Sequence, residues 1–196
     1  MSVVLGQVAY EPIKIWNTIQ GLGFPASLRR PEGATQTFKQ GVPLTLSSGF
    51  LIEAAFSSAD IVYGISSEDA HNLAVAGTGT QESEGTPPNQ PSAVITAVGA
   101  WPKDGNIGLY EANGNNVFSI SLKATQTFTQ ALILNPATLY GLTKDATSGF
   151  WYLDTTDTTG NNAVAHLLGV DPSCPNTSAG GCRVFFSFGS AVRFFN

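Results

Sequence analysis

Two polar segments of the chain contain residue types that could support chemistry. The first is SSEDAH, residues 66–71, which holds hydroxyl nucleophiles, carboxylates and the imidazole of His71. A hydrolase needs such groups to converge, with the base within hydrogen-bond reach of the nucleophile. Residues adjacent on one turn rarely converge, and no Gly-x-Ser-x-Gly elbow accompanies them. A catalytic role for His71 is therefore disfavoured, and His166, inside an apolar strand, is interpreted as structural.

The second segment is DTTDTTGNN, residues 154–162, which is rich in side-chain oxygens. Oxygen ligands suit Ca²⁺. The spacing of Asp154 and Asp157 differs from the ladder of an EF-hand, however, and such residues are also ordinary turn formers. The turn is the favoured interpretation and calcium the alternative. No cofactor or metal is predicted.

The two cysteines, Cys174 and Cys182, flank a short loop that contains Gly and Asn. A disulfide would close the base of that loop. The alternative is a pair of reduced thiols in a protein made in the cytosol. Neither alternative implies a metal site, because no further cysteine and no neighbouring histidine completes a ligand set.

The charge balance argues against several classes of partner. The net charge is −5 and the isoelectric point is near 4.8, whereas nucleic-acid binding needs clustered Lys and Arg. Arg29-Arg30 is the only basic pair. The sequence has no apolar stretch long enough to span a membrane, and Met1–Leu5 lacks the basic start of a secretory signal. We expect neither nucleic acid nor membrane as a partner.

The composition indicates which elements position any site. Of the 196 residues, 42% are hydrophobic and only 12% are charged, which is typical of an ordered protein without long surface helices. Turn pairs such as Ser48-Gly49, Asp104-Gly105 and Asn113-Gly114 separate short apolar runs, as they do between strands. The sequence therefore predicts an all-β fold.

A seven-residue motif occurs twice, as ATQTFKQ at residues 34–40 and ATQTFTQ at residues 124–130. Two weaker matches follow in the same order: Ser48–Phe50 with Ser148–Phe150, and Ile61–Ile65 with His166–Val170. The ordered set favours a degenerate duplication that gives two small β-barrel or tulip-like subdomains. The alternative is that similar strands follow from similar composition.

The duplication predicts equivalent positions in the two subdomains. Phe38 should superpose on Phe128, and Gly64 on Gly169. It also predicts three parts of the chain: an N-terminal arm at residues 1–33, a first β subdomain at residues 34–112, and a second at residues 113–196. A loop at residues 77–91 of the first subdomain has three prolines and no large apolar side chain. We expect it to be exposed and dispensable for folding.

The N-terminal arm is the candidate binding segment. Its large apolar side chains are Ile13, Ile15, Trp16, Leu22 and Phe24. Nearby Gly and Pro residues break any compact element, so these side chains either pack on the chain's own domain or bury against an outside surface. An extended arm can add to a neighbour's sheet edge. We predict that these five residues bind a partner protein.

Three short segments of the first predicted subdomain are Thr37–Leu46, Ser48–Ala54 and Ile61–Ile65, and two of the second are Leu168–Asp171 and Arg183–Phe188. The first three resemble segments of β-barrel or β-tulip decoration proteins on tailed-phage heads, and the last two are similar to the close of phage structural proteins. In the family a strand follows a Gly-x-Pro-Val-x-Leu step, a second strand starts after Gly, and a later Gly-Ile closes the sheet. The family carries no catalytic residues.

The resemblance implies a non-enzymatic viral structural protein, a capsid decoration or cement protein. Such a protein binds the outer surface of a phage capsid and stabilises it by bridging neighbouring subunits. The implied partners are the major capsid protein and further copies of the chain, with a trimer suited to threefold positions. The implied location is the virion, after synthesis in the host cytoplasm. The alternatives are a carbohydrate- or receptor-binding β module, and an enzyme subunit using His71 or the Asp154–Asp157 loop.

Overall fold

The chain is all-β, as its turn pairs and short apolar runs predict. The structure is a computed structural model. It describes residues 10–18, 28–57, 60–73, 76–77, 105–135, 137–172, 182–190 and 192. The strands are β1 (Lys14–Thr18), β2 (Leu28–Pro31), β3 (Pro43–Ser47), β4 (Phe50–Glu53), β5 (Val62–Ser66), β6 (Asn106–Glu111), β7 (Asn116–Leu122), β8 (Tyr140–Lys144), β9 (Trp151–Asp154), β10 (Ala163–Val170) and β11 (Arg183–Phe188). A 3-10 helix at Gln130–Ile133 precedes β8. Apart from Gly77, the predicted loop 77–91 lies outside the described residues.

The strands form two sheets. The five-stranded sheet has the order β2-β6-β5-β3-β4, and the six-stranded sheet has the order β1-β7-β11-β10-β8-β9. In the six-stranded sheet, β7 also pairs in parallel with β9, through Ser121↔Tyr152 and Leu122↔Leu153. This pairing closes β7 to β11 into a five-stranded barrel, with β1 added outside it on β7.

The two sheets share one strand order. Replacing β2, β3, β4, β5 and β6 by β7, β8, β9, β10 and β11 converts the first order into the barrel order of the second. The closing contact is shared as well, because a parallel bridge joins Glu32, just after β2, to Leu51 in β4. The Gly33 N–H donates to the Leu51 carbonyl at 2.8 Å, as the Lys123 N–H does to that of Leu153 at 2.9 Å.

We call β2 to β6 the first unit and β7 to β11 the second unit. The repeated motif makes corresponding contacts in both units. Phe38 and Phe128 are both buried in the core. The side-chain carbonyl of Gln36 accepts the Glu53 N–H at 3.3 Å, and that of Gln126 accepts the Thr155 N–H at 2.9 Å. Each glutamine thus ties the loop that carries the motif to the end of a strand hairpin. An evolutionary duplication stays a prediction, which these matched contacts support.

The predicted equivalence of Gly64 and Gly169 is wrong in register. In the first sheet Leu44 pairs with Gly64 and Thr45 with Val62, across a bulge. In the second sheet Tyr140 pairs with Ala165 and Gly141 with Ala163, across a matching bulge. Gly64 therefore corresponds to Ala165, four residues before Gly169 in the same strand. Short apolar segments can be aligned with one another in several registers. Sequence identity alone therefore led to an alignment that differs from the register of the strands.

The Ser-Gly-Phe matches also lie in corresponding hairpins but out of register. Residues 48–49 form the two-residue turn between β3 and β4, whereas residues 145–150 form the longer connection between β8 and β9. Gly49 and Gly149 both have positive φ, at 88° and 75°. The extra residues of the second loop shift the letter match relative to the strands.

The predicted arm at residues 1–33 contributes strands to both sheets. β1 pairs antiparallel with β7 at the edge of the six-stranded sheet, and β2 pairs antiparallel with β6 in the other sheet. The predicted boundary at residue 33 therefore follows a strand that belongs to the first unit. In the described residues 10–18 and 28–33, the predicted arm is part of the two sheets.

The two units pack on one contiguous hydrophobic core, to which both contribute. Glu53 of the first unit links to the second, where Lys144 Nζ lies 2.7 Å from Glu53 Oε1 and the Trp151 indole N–H donates to the same oxygen at 3.1 Å. Phe56 meets Trp151 edge-on with ring centroids 5.4 Å apart. The units are therefore joined by both polar and aromatic contacts.

Cys182 is disulfide-bonded, and Cys174, outside the described residues, is the only other cysteine in the sequence. We expect that replacing both cysteines by serine lowers the free energy of unfolding by roughly 2–3 kcal/mol, the loop-closure entropy of so short a loop. Urea unfolding of the oxidised protein and the double variant measures the difference. Equal unfolding midpoints would contradict it.

Candidate functional site

The polar groups of residues 66–71 form hydrogen bonds within the first unit. The Ser66 hydroxyl accepts the Val42 N–H at 3.1 Å and donates to the Lys39 carbonyl at 3.3 Å, well inside the first unit. A carboxylate oxygen of Asp69 accepts the Gln40 N–H at 2.6 Å. Ser66 and Asp69 thus hold backbone groups of the loop that carries the repeated motif.

His71 forms a buried pair with Glu32 that the sequence did not indicate. The Glu32 side chain is fully buried and that of His71 is 6% exposed. One carboxylate oxygen of Glu32 lies 2.6 Å from His71 Nδ1, and the other accepts the His71 N–H at 2.9 Å. The pair sits where the first sheet closes, at the position that Leu122 occupies in the second barrel. This contact fixes the loop that follows β5, residues 67–73, against the end of β2.

The carboxylate of Asp154 accepts hydrogen bonds from three side chains of the protein. Lys123 Nζ lies 2.6 Å from one oxygen, while the Gln126 amide and the Thr156 hydroxyl donate to the other at 2.5 and 2.7 Å. Burial alone raises the pKa of Asp154, but these hydrogen bonds outweigh it and hold the pKa well below its usual range. Asp157 accepts the Gly160 N–H at 3.2 Å in a local turn.

The contacts of residues 154–162 therefore match the turn interpretation. Within the described part of the chain, no group of three or more His, Cys, Asp or Glu side chains could hold a metal ion. Nor does that part include a helix long and apolar enough to cross a membrane.

The structure places the predicted partner-binding residues in different environments. Ile13 is buried in the core, and Ile15 packs against it. Trp16 is 48% exposed. Leu22 and Phe24 lie outside the described residues. Of the five, Trp16 is the described residue that presents a large apolar surface outward, and binding to a partner stays a prediction.

Trp16 lies on an aromatic surface of the six-stranded sheet. It occupies a bulge of β1, between Ile15 and Asn17, and its ring contacts that of Phe185 with centroids 4.7 Å apart and a 34° tilt. Phe185 projects outward because its neighbours in β11 face the core. Leu168, 42% exposed, occupies a bulge of β10 beside Gly169, the register partner of Phe185. We call Trp16, Phe185 and Leu168 the Trp16 surface.

Arg183 fixes the strand that carries Trp16. Its guanidinium donates to the hydroxyl and the carbonyl of Ser119 at 2.8 and 2.6 Å, and to the Pro12 carbonyl at 3.1 Å. It also forms an ion pair with Glu11 at 3.2 Å. Burial lowers the pKa of Arg183, and the carboxylates of Glu11 and Asp171 oppose that effect. The side chain therefore joins β7 to the residues just before β1.

The residues preceding β1 contact both units. The Tyr10 ring stacks on Tyr152 of the second unit at 4.7 Å, and the Tyr10 hydroxyl accepts the Ala124 N–H at 3.0 Å. In the first unit the Ile13 N–H donates to the Gly41 carbonyl at 3.3 Å. We call residues 10–18 the strap, since they tie the two units together.

Gly41 is required by the strap. Its φ is +81°, and a Cβ there would lie 2.6 Å from Pro12 Cβ and 2.7 Å from the Ile13 backbone. We expect Gly41→Ala to lower the free energy of unfolding by more than the roughly 1–2 kcal/mol of left-handed backbone strain, because the strap must also move. Gly49→Ala is the matched control, since Gly49 has φ +88° and open space around it. Equal losses in urea unfolding would contradict the close contact.

Phe185 and Arg183 were not predicted as members of the site, although the alternation of residues in their strand places both on one face. Within residues 183–188, alternation places Arg183, Phe185 and Ser187 on one face and Val184 and Phe186 on the other. What the sequence does not give is which strand lies beside that face. The pairing of β1 with β7 and of β7 with β11 brings Trp16 there.

No known protein family, curated protein or solved structure matches the chain.

Proposed function

We propose that this chain is a non-enzymatic structural protein that binds another protein through the Trp16 surface. Its specific form is a capsid decoration protein, which binds the outer surface of a phage head and bridges neighbouring subunits. The partners are the major capsid protein and further copies of the chain, and the site of action is the virion. The likeness of Thr37–Leu46 and the segments after it to phage decoration proteins supports this form.

The observation that carries the proposal is the exposure of Trp16 on a rigid support. A half-exposed Trp on a strand, backed by Phe185 and held through Arg183, is pre-organised and loses little side-chain entropy on binding. Tryptophan in such a setting is a common hot spot of protein interfaces. A contiguous core across both units provides the firm body that a bridging protein needs.

A carbohydrate-binding module is the second candidate, and the same surface favours it. One side of the Trp16 ring rests on Phe185, and the exposed remainder could stack on a sugar ring. The neighbouring outward side chain of Lys14 would supply a polar contact, although it is already 3.0 Å from Glu11. Protein binding is favoured because of the likeness of the segments described above.

Sedimentation separates the two candidates. The purified protein is mixed with phage heads assembled without it and centrifuged, and in parallel it is applied to a glycan array. We expect saturable sedimentation with the heads and no glycan binding. Glycan binding without sedimentation would replace the first proposal by the second, and the absence of both would contradict each.

A further inference from the structure

The strap lies against a barrel that is closed without it, although its Ile13 is part of the core. The second barrel is closed by the pairing of β7 with β9, so β1 lies outside a ring that does not need it. β7 keeps β11 as its other neighbour. Removing β1 would therefore expose a strand edge without opening the barrel, and an exposed edge is a template for another extended segment.

The groove that the strap occupies is built to hold an extended segment along its whole length. At one end Tyr152 stacks on the ring of Tyr10, and in the middle Gly41 leaves room for Pro12 and Ile13. Arg183 reaches across to the Pro12 carbonyl. Beyond this point β1 pairs with the backbone of β7, and the pairs Lys14↔Ser119 and Thr18↔Asn116 lie at the two ends of β1.

The strap reaches this groove from a distant part of the sequence. Its described hydrogen bonds to the rest of the chain are to residues from Gly41 onward, and the next strand, β2, belongs to the other sheet. Nine residues, 19–27, separate β1 from β2 in the sequence. Fully extended, that number of residues spans at most about 30 Å. The contacts in the groove would be the same whichever copy of the chain supplied the strap.

From this geometry we propose that the groove is a docking site for a second copy of the chain, which inserts its own residues 10–18 in place of the resident strap. Exchange of identical elements costs little because the incoming strap packs and pairs in the groove just as the resident strap does. It becomes favourable when copies are held close together, where the effective concentration of the neighbour's strap is high. Two copies that exchange straps are linked to each other, whatever the Trp16 surface binds.

Cross-linking of two different single variants tests the exchange. Asn17 and Val117 are register partners on β1 and β7, close enough for a disulfide. Full-length Asn17→Cys and Val117→Cys chains are mixed at increasing concentration and oxidised, and mass spectrometry identifies the linked peptides. We expect a 17–117 cross-link between chains, in a fraction of the chains that rises roughly in proportion to protein concentration.

Two controls make the result decisive. The double variant Asn17→Cys/Val117→Cys, at low concentration, should form the same bond within one chain; its failure would overturn the proposal, since the register would be wrong. Thr159→Cys, exposed in the turn between β9 and β10, should not link to Asn17→Cys. Equal linkage to position 159, or no 17–117 link between chains while the double variant closes, would also overturn it.

Discussion

Glu32→Leu should lower the free energy of unfolding by about 3–5 kcal/mol, although it replaces a charged residue by an apolar one in the core. Glu32 is fully buried and contacts both the ring and the N–H of His71. Leucine provides no acceptor, so both groups would lose this partner in a site from which water is excluded. Urea unfolding, followed by fluorescence, measures the loss.

The corresponding position in the barrel of β7 to β11 explains why the double replacement is the right control. Leu122 shows that an apolar residue suits the corresponding position when no histidine faces it. We therefore expect Glu32→Leu/His71→Leu to be more stable than Glu32→Leu alone, because replacing both members of a buried pair is often close to neutral. If the single variant were as stable as the natural protein, the pair would not hold the loop.

Trp16→Ala should weaken binding to phage heads by about 2–4 kcal/mol, or roughly 30- to 1,000-fold. The ring contacts Phe185 on the outside of the sheet, and the pairing of β1 with β7 uses backbone groups. The variant should therefore stay folded while it loses affinity. Binding isotherms from sedimentation, together with circular dichroism, separate the two effects.

Ile61→Ala is the matched control for Trp16→Ala. Ile61 is 51% exposed, close to the 48% of Trp16, but it lies just before β5, a strand of the other sheet. We expect its affinity for heads to be unchanged. If Ile61→Ala and Trp16→Ala weakened binding equally, the Trp16 surface would have no special role. If Trp16→Ala unfolded the protein, the residue would be structural.

The all-β fold was predictable from the sequence because turn pairs mark strand ends directly. The repeated motif was also readable, since ATQTF encodes a local structure in which Gln36 or Gln126 reaches a neighbouring strand end. Register was not predictable. It depends on bulges such as the one between Leu44 and Thr45, and on the different lengths of the two hairpin loops.

The candidate site was predictable only in part. The sequence indicated Ile13, Ile15 and Trp16 as binding candidates in an extended segment, but the strand that pairs with this segment could not be read from the sequence. The pairing of Glu32 with His71 joins residues far apart along the chain, with no spacing rule to reveal it. Such contacts follow from how the sheet closes, which a single sequence does not specify.

The most direct test of the proposed function is the thermal disruption of phage heads with and without the protein. A decoration protein binds the assembled shell and not its dissociated subunits, so saturating protein should raise the temperature at which the heads disrupt. We expect such an increase with the natural protein and with Ile61→Ala, and little increase with Trp16→Ala. An unchanged disruption temperature at saturating natural protein would contradict the proposal that this chain stabilises a capsid.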